Sequence, residues 1–390
     1  SWWNGHLGSR NTLVMIKNNI YEILNIGQFH TGYSGNILQG KDGTLYEKAY
    51  IISKFEPYSP ALVEMNAETT ISLYTTLKNR LNYMGKQMLL VMAPSKADAR
   101  EENLPMIFQY RAKYRQTPPS MYPLWEKKLR EKEIPYVNAL DLLTKKNVLN
   151  DSFPDTGTHW AMLAAGLTWE ESVRKLRMVN PALPAVKITG EQITASATNQ
   201  ERDIADLLNI LPKYAKGNQT WKHAKYQPVP TANSVYAISI GDSFSGQLAQ
   251  NILQSGFSTS ESLAQFENRM PTCDQWFDIL AKADLLVLTY TYPKLIESRM
   301  KDEASKLLAY TQDIVLKNWH PQGPGEKGQW SKAASQVLFF HSAATDHEIS
   351  FTIENRFYSK SLQLFVNDRQ LSKLDLETLA IPAHVKIMIP

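Results

Sequence analysis

Three apolar runs of strand length, each closed by a breaker or polar cluster, constrain this 390-residue chain more than any other feature. Met88-Leu89-Leu90-Val91-Met92 runs into Ala93-Pro94-Ser95-Lys96, Val235 to Ile240 stops at Gly241, and Asp284 to Tyr290 is the third. Between them lie helical patterns. Charged and apolar residues recur at helical spacing over Pro118 to Glu133, ahead of a short strand at Ile134-Pro135-Tyr136-Val137, and residues 245–255 read as a helix. Strand and helix alternating in this way predict an α/β fold, with a parallel sheet covered by helices on both faces.

The pattern changes after about residue 318. His320-Pro321-Gln322-Gly323-Pro324-Gly325-Glu326-Lys327-Gly328 is rich in breakers and reads as a linker. Beyond it, Val337 to Phe340, Ile349 to Ile353, Leu362 to Val366 and Val385 to Ile389 are short β-prone segments, with Asn367-Asp368 suited to a turn. The expected organisation is an α/β domain over 1–318, a linker over 319–328 and a small antiparallel β module over 329–390. The module resembles carbohydrate-binding β-sandwiches at the level of strand pattern. Because the chain stops at its last candidate strand, the module is expected to be cut short.

Composition removes several function classes. Lys and Arg number 42 against 38 Asp and Glu, a net charge of +4, too balanced for the basic surface of a nucleic-acid binder. The single cysteine, Cys273, excludes an intrachain disulfide framework and a cysteine-based zinc site. No apolar run approaches the ~18–20 residues of a membrane span. The start, Ser1-Trp2-Trp3-Asn4, carries neither an initiator Met nor a signal pattern, and is expected to follow a removed upstream segment.

Two local motifs carry chemistry. Gly241-Asp242-Ser243-Phe244-Ser245 follows an expected strand and precedes an expected helix, which places Ser243 at the carboxyl edge of a parallel sheet with its N–H at a helix N-terminus. Ser243 also fits a plain helix cap. Asp155-Thr156-Gly157-Thr158-His159-Trp160 offers an imidazole to take a serine proton and a carboxylate to fix its tautomer. Alone, this stretch also fits a loop with a turn-forming Asp155. Together the two motifs form a Ser243–His159–Asp155 constellation. His341 and His347 read as exposed polar positions rather than metal ligands.

The Gly-Asp-Ser-Phe block resembles the nucleophile block of SGNH hydrolases. Its position downstream of the histidine is similar to the alginate O-acetyltransferase group of SGNH-like proteins and to related cell-wall polysaccharide O-acetyltransferases. Gly5-His6-Leu7-Gly8-Ser9-Arg10-Asn11-Thr12-Leu13, Gln39-Gly40-Lys41-Asp42-Gly43-Thr44-Leu45-Tyr46, Ala93-Pro94-Ser95-Lys96 and Asp206-Leu207-Leu208 resemble further blocks of that family, over roughly residues 2–315. Two departures stand out. Many members carry the acid two residues before the histidine, where this chain has Gly157, so the acid is Asp155 or comes from elsewhere, Asp151 being the nearest candidate. The run from Asp284 ends in Thr289-Tyr290-Thr291-Tyr292-Pro293 where the family often has an acidic-Arg pattern, making Tyr290 and Tyr292 candidate substrate contacts beside their reading as strand-end packing.

The resemblance implies an SGNH-like three-layer domain that moves acetyl groups onto hydroxyls of a cell-surface polysaccharide. It implies an extracytoplasmic location, at the periplasmic or outer face of the membrane, and a membrane-bound O-acyltransferase as acetyl source. It also implies no tightly held cofactor; no metal ligands are expected. An esterase using the same three residues with water as acceptor, and a non-catalytic glycan-binding protein on the same fold, are the alternatives.

Overall fold

The three apolar runs lie side by side. The computed structural model describes residues 15–20, 28–29, 36–55, 59–114, 121–194, 200–208, 210–211, 221–227, 235–258, 279–280, 282–291, 300–301, 304–305, 307–308, 339–341, 348–353, 361–366, 369–375 and 383–388. The chain divides into two units, Ser1–Lys317 and Asn318–Pro390.

After a helical segment at residues 15–20, the first unit has a small antiparallel sheet of β1 (Gln28–Phe29), β2 (Ile37–Gln39) and β3 (Leu45–Glu47). Helices α1 (Lys48–Phe55) and α2 (Pro60–Tyr83) follow. Ser59 caps α2 by accepting from the Leu62 amide at 3.2 Å, and Pro60 takes the first helical position, where no N–H is needed. Next come β4 (Gln87–Ala93), the four-residue α3 (Lys96–Ala99), α4 (Met106–Tyr114), α5 (Tyr122–Glu131), β5 (Tyr136–Asn138), α6 (Ala139–Lys145) and α7 (Met162–Val179). The pair β6 (Ile188–Thr194) and β7 (Trp221–Tyr226) is antiparallel and flanks α8 (Asp203–Leu207) in sequence. The unit's last named elements are β8 (Ala237–Gly241), α9 (Ser245–Gln254) and β9 (Leu285–Thr291).

Strands β5, β4, β9 and β8 form one parallel sheet in that order. Every residue of β8 and β9 is buried, as a sheet covered on both faces requires. Alternation along the strands splits the core into two layers. Met88, Leu90, Met92, Leu286, Leu288 and Tyr290 pack with Tyr74 and Leu77 of α2 and Trp125 of α5. Leu89, Val91, Leu285 and Val287 pack on the other side with Leu143, Trp169, Leu248 and Phe244. The result is the expected α/β/α arrangement.

Among its described residues the second unit has two antiparallel sheets: β10 (Phe339–His341), β11 (Glu348–Ile353) and β14 (Ala383–Met388), and a pair of β12 (Ser361–Val366) with β13 (Arg369–Asp375). Strand β13 was not expected, because its sequence, Arg-Gln-Leu-Ser-Lys-Leu-Asp, is mostly polar; pairing with β12 supplies what its composition does not. Val366 pairs with Arg369, and the expected Asn367-Asp368 turn lies outside the described residues.

Candidate active site

At the carboxyl end of β8 the chain turns sharply into α9. Gly241 is required there: a Cβ on it would sit 1.8 Å from the Thr289 carbonyl oxygen, so only a residue without a side chain lets β8 and β9 pair this closely. Asp242 is buried beneath the turn. One carboxylate oxygen accepts from the Phe244 amide at 3.0 Å, and the other from the Thr291 amide and hydroxyl at 2.7 and 2.8 Å. Burial pushes its carboxyl above the usual range, against the pull of those three donors. Ser243 lies between this anchor and α9, half-buried, and its carbonyl accepts from Gln200 Nε2 at 3.2 Å.

His159 ends the loop that leads into α7 and is buried, with its ring 5.0 Å from that of Phe244, the residue following Ser243. Its Nδ1 lies 2.6 Å from Asp203 Oδ2. The other oxygen of Asp203 accepts from the backbone amides of Thr158 and Ile204 at 2.8 and 2.9 Å. Both carboxylate oxygens are therefore held, and the imidazole is held through Nδ1. On the far side of the ring, Nε2 is buried and has no hydrogen-bond partner among the described residues, Ser243 Oγ included. A buried ring nitrogen left open is an exception that asks for a reacting partner.

The acid expected on His159 therefore needs correcting. Asp155 does not orient the ring; its carboxylate is engaged by Arg100 and, at 3.2 Å, by the Thr44 hydroxyl. Asp151 is also elsewhere, half-exposed and bridged to Lys222 at 3.1 Å. Asp203 takes the position because residues 200–203 pack directly against the histidine loop. Thr156 Oγ1 donates to the Glu201 carbonyl at 3.3 Å, Ala205 N donates to Thr156 O at 3.0 Å, and a Cβ on Gly157 would lie 2.6 Å from the Glu201 carbonyl oxygen. The missing side chain at 157 is thus the space through which a separate segment delivers its carboxylate.

Glu201, fully buried, adds a second link. Its carboxylate accepts from the Met162 amide at 3.2 Å, satisfying a free N–H at the start of α7, and lies 3.2 Å from His223 Nε2 on β7. Tyr50 on α1 lies edge-on to Phe244 at 6.2 Å. Burial, and then the carboxylates of Asp242, Glu47 and Asp203, push its phenol well above the usual range, so it stays protonated. Tyr290 is 1% exposed and belongs to the α2–α5 side of the core, across the sheet from Phe244; the strand alternation that buries it there removes it from the substrate contacts expected of it. Tyr292 lies outside the described residues.

Sequence reasoning missed Asp203, Glu201 and Gln200. The available signal was the polar stretch Gln200-Glu201-Arg202-Asp203 opening onto Ile204-Ala205, which reads as an ordinary helix start.

A parallel sheet between two helical layers, with a Gly-Asp-Ser turn after one strand and a carboxylate-held histidine against it, defines an SGNH-like α/β domain. A family model described as the SGNH hydrolase-like domain of acetyltransferase AlgX matches residues 37–271, and the chain belongs to this family. Among solved structures, it is similar to the O-acetyltransferase domain of Pseudomonas putida AlgJ, at 15% identity and a TM-score of 0.46, covering 70% of this chain and 98% of that one. AlgX of Pseudomonas aeruginosa matches at 13% identity and a TM-score of 0.46, covering 94% of this chain and 84% of that one. PatB1 of Bacillus cereus matches at 12% identity and a TM-score of 0.43, covering 68% and 98%. A search of curated protein sequences found no match.

Proposed function

We propose that this protein transfers acetyl groups to hydroxyls of an exported polysaccharide through an acyl-enzyme on Ser243, with His159 as general base and Asp203 as its orienting acid. One observation carries the reading: His159, whose ring packs against the residue after Ser243, is held through Nδ1 by Asp203 while its buried Nε2 has no partner among the described residues. That is the state of an imidazole ready to accept a proton.

In the first half-reaction Ser243 Oγ attacks the acetyl carbonyl and its proton passes to His159 Nε2. The Ser243 amide, at the strand-to-helix turn, is the donor offered to the developing oxyanion. Collapse expels the donor's leaving group, which takes the proton back from His159. In the second half a sugar hydroxyl gives its proton to His159 and attacks the acyl carbon; Ser243 leaves and is reprotonated. Asp203 stabilises the imidazolium in both halves without taking its proton.

The acetyl donor fitting this scheme is a membrane-bound O-acyltransferase, and the location is extracytoplasmic. Membership of the AlgX acetyltransferase family supports acetyl transfer as the reaction class. Tyr292, on the stretch that follows β9, is proposed as a substrate contact.

The test is incubation with an activated acetyl ester, with and without oligosaccharide acceptors. Intact-mass detection of a single acetyl on the wild type, absent in Ser243→Ala, together with acetylated sugar, is the expected result. Acceptor-independent hydrolysis without acetylated sugar would replace the transferase by an esterase. Sugar binding with no acyl-enzyme would overturn catalysis altogether.

A further inference from the structure

Lys96 is the least expected side chain in the first unit. It is 2% exposed, and its ammonium donates to three backbone carbonyls: Leu45 at 2.7 Å, Gly157 at 2.8 Å and Asp155 at 3.0 Å. Three donors thus meet three acceptors, which is how a buried amine is tolerated at all. Burial still pushes its pKa well below the usual lysine range, with the Arg100 charge adding to the shift and Asp155 and Asp203 opposing it. Two of the three carbonyls belong to the loop that ends in His159.

Arg100, four residues on, takes hold of the same loop. It pairs with the Asp155 carboxylate and donates to the Phe153 carbonyl at 3.2 Å. Helix α3 is only four residues long, but it is fixed at both ends. Ser95 and Asp98 form a reciprocal capping box at its start, and the Arg100 carbonyl at its end accepts from Tyr46 at 2.8 Å. Lys96 and Arg100 therefore project from a braced turn, one grasping residues 155 and 157 and the other residues 153 and 155. The 200–203 segment packs on the same loop at Thr156, Gly157 and Thr158. Nothing in the proposed chemistry uses either cation.

We propose that Lys96 and Arg100 are positioning residues for the transfer reaction, clamping the 153–157 backbone so that His159 presents Nε2 at the height of Ser243. This rests on the reading of His159 as general base. A clamp that acts only through the imidazole has a definite signature. Loosening it lowers kcat and leaves KM nearly unchanged, and it costs nothing further once the imidazole is gone.

The experiment is a double-mutant comparison in the full chain, with acetyl-ester turnover as readout. Lys96→Met and Arg100→Gln are each made alone and together with His159→Ala. Misplacement by about an ångström costs up to roughly 100-fold. The expected result is therefore a kcat loss of about 10- to 100-fold in each single variant, with KM within about twofold. No further loss is expected on top of His159→Ala. Native kcat in the single variants, or losses that multiply fully with that of His159→Ala, would overturn the clamp while leaving the base assignment standing. Native turnover in His159→Ala alone would overturn the base assignment, and the clamp with it. Should Lys96→Met not fold, Arg100→Gln, at the more accessible end of the clamp, decides the question alone.

Discussion

The carbonyl oxygen of Glu201 lies 2.6 Å from the point where a Cβ on Gly157 would stand. Two segments more than forty residues apart in sequence thus share one volume, and the absence of a side chain on the first lets the second bring Asp203 to His159. Real Cβ atoms do not tolerate such an approach to backbone, so Gly157→Ala must push residues 200–203 and the histidine loop apart. We expect a stability loss of about 1–3 kcal/mol, as overpacking gives. Acetyl-ester turnover should fall further than that loss explains. Thermal unfolding and steady-state kinetics on the same preparation check both.

Asp203 and Asp155 should separate cleanly by mutation. Asp203→Asn is expected to keep the fold and lower kcat by about 10²- to 10⁴-fold, because an amide on Nδ1 favours the wrong tautomer. Asp155→Asn should instead lower stability and, by loosening the Arg100 side of the clamp, reduce kcat by no more than the clamp's own about 10- to 100-fold. Its carboxylate pairs with Arg100 at a site where both side chains are 14% exposed, and breaking such a buried pair costs about 3 kcal/mol. Turnover, compared with unfolding midpoints for the two variants, gives the answer; a larger kcat loss in Asp155→Asn than in Asp203→Asn would reverse the assignment.

Asp151→Asn is the third member of that series. Its bridge to Lys222 joins side chains 56% and 42% exposed, so solvent screening leaves it within about 1 kcal/mol of no effect. Native unfolding and native turnover are both expected.

The buried Lys96 ammonium gives stability a pH dependence of known sign. In the unfolded chain lysine titrates near about 10.4. In the fold its pKa is lowered, chiefly by burial. Between the lowered value and about 10.4 the unfolded state binds more protons, so this contribution to stability rises with pH. The stability of the wild type relative to Lys96→Met should therefore grow from neutral pH towards pH ~10. Denaturant unfolding at a series of pH values measures it, and a difference that shrinks over that range would contradict the sign.

Much of the fold was legible because its core strands are continuous apolar runs. Met88 to Met92, Val235 to Ile240 and Asp284 to Tyr290 each fall on an observed parallel strand, and the run after Ser243 is the helix expected there. Apolar runs bounded by breakers report burial directly. The Ser243 turn was legible for a similar reason, since a glycine at a strand end before a helix start marks a sharp exit. The acid was not. Pairing across 44 residues leaves no spacing to read, and Asp155, close in sequence, had the better local claim. What decided against it is a through-space competition: Arg100 and Thr44 hold its carboxylate, and neither contact is visible in a linear motif. Tyr290 failed differently, since a strand-end aromatic reads alike whether it faces a ligand or a core.

The carboxylates of the 200–203 segment reach both the Thr158 amide, through Asp203, and the Met162 amide at the head of α7, through Glu201. An excursion that lifts this short stretch releases the base from its acid and uncaps an 18-residue helix in the same event. Catalytic competence and helix integrity then fluctuate as one cooperative unit. The amides of Thr158 and Met162 should exchange with deuterium at a common rate, set by the opening of a segment to which neither belongs.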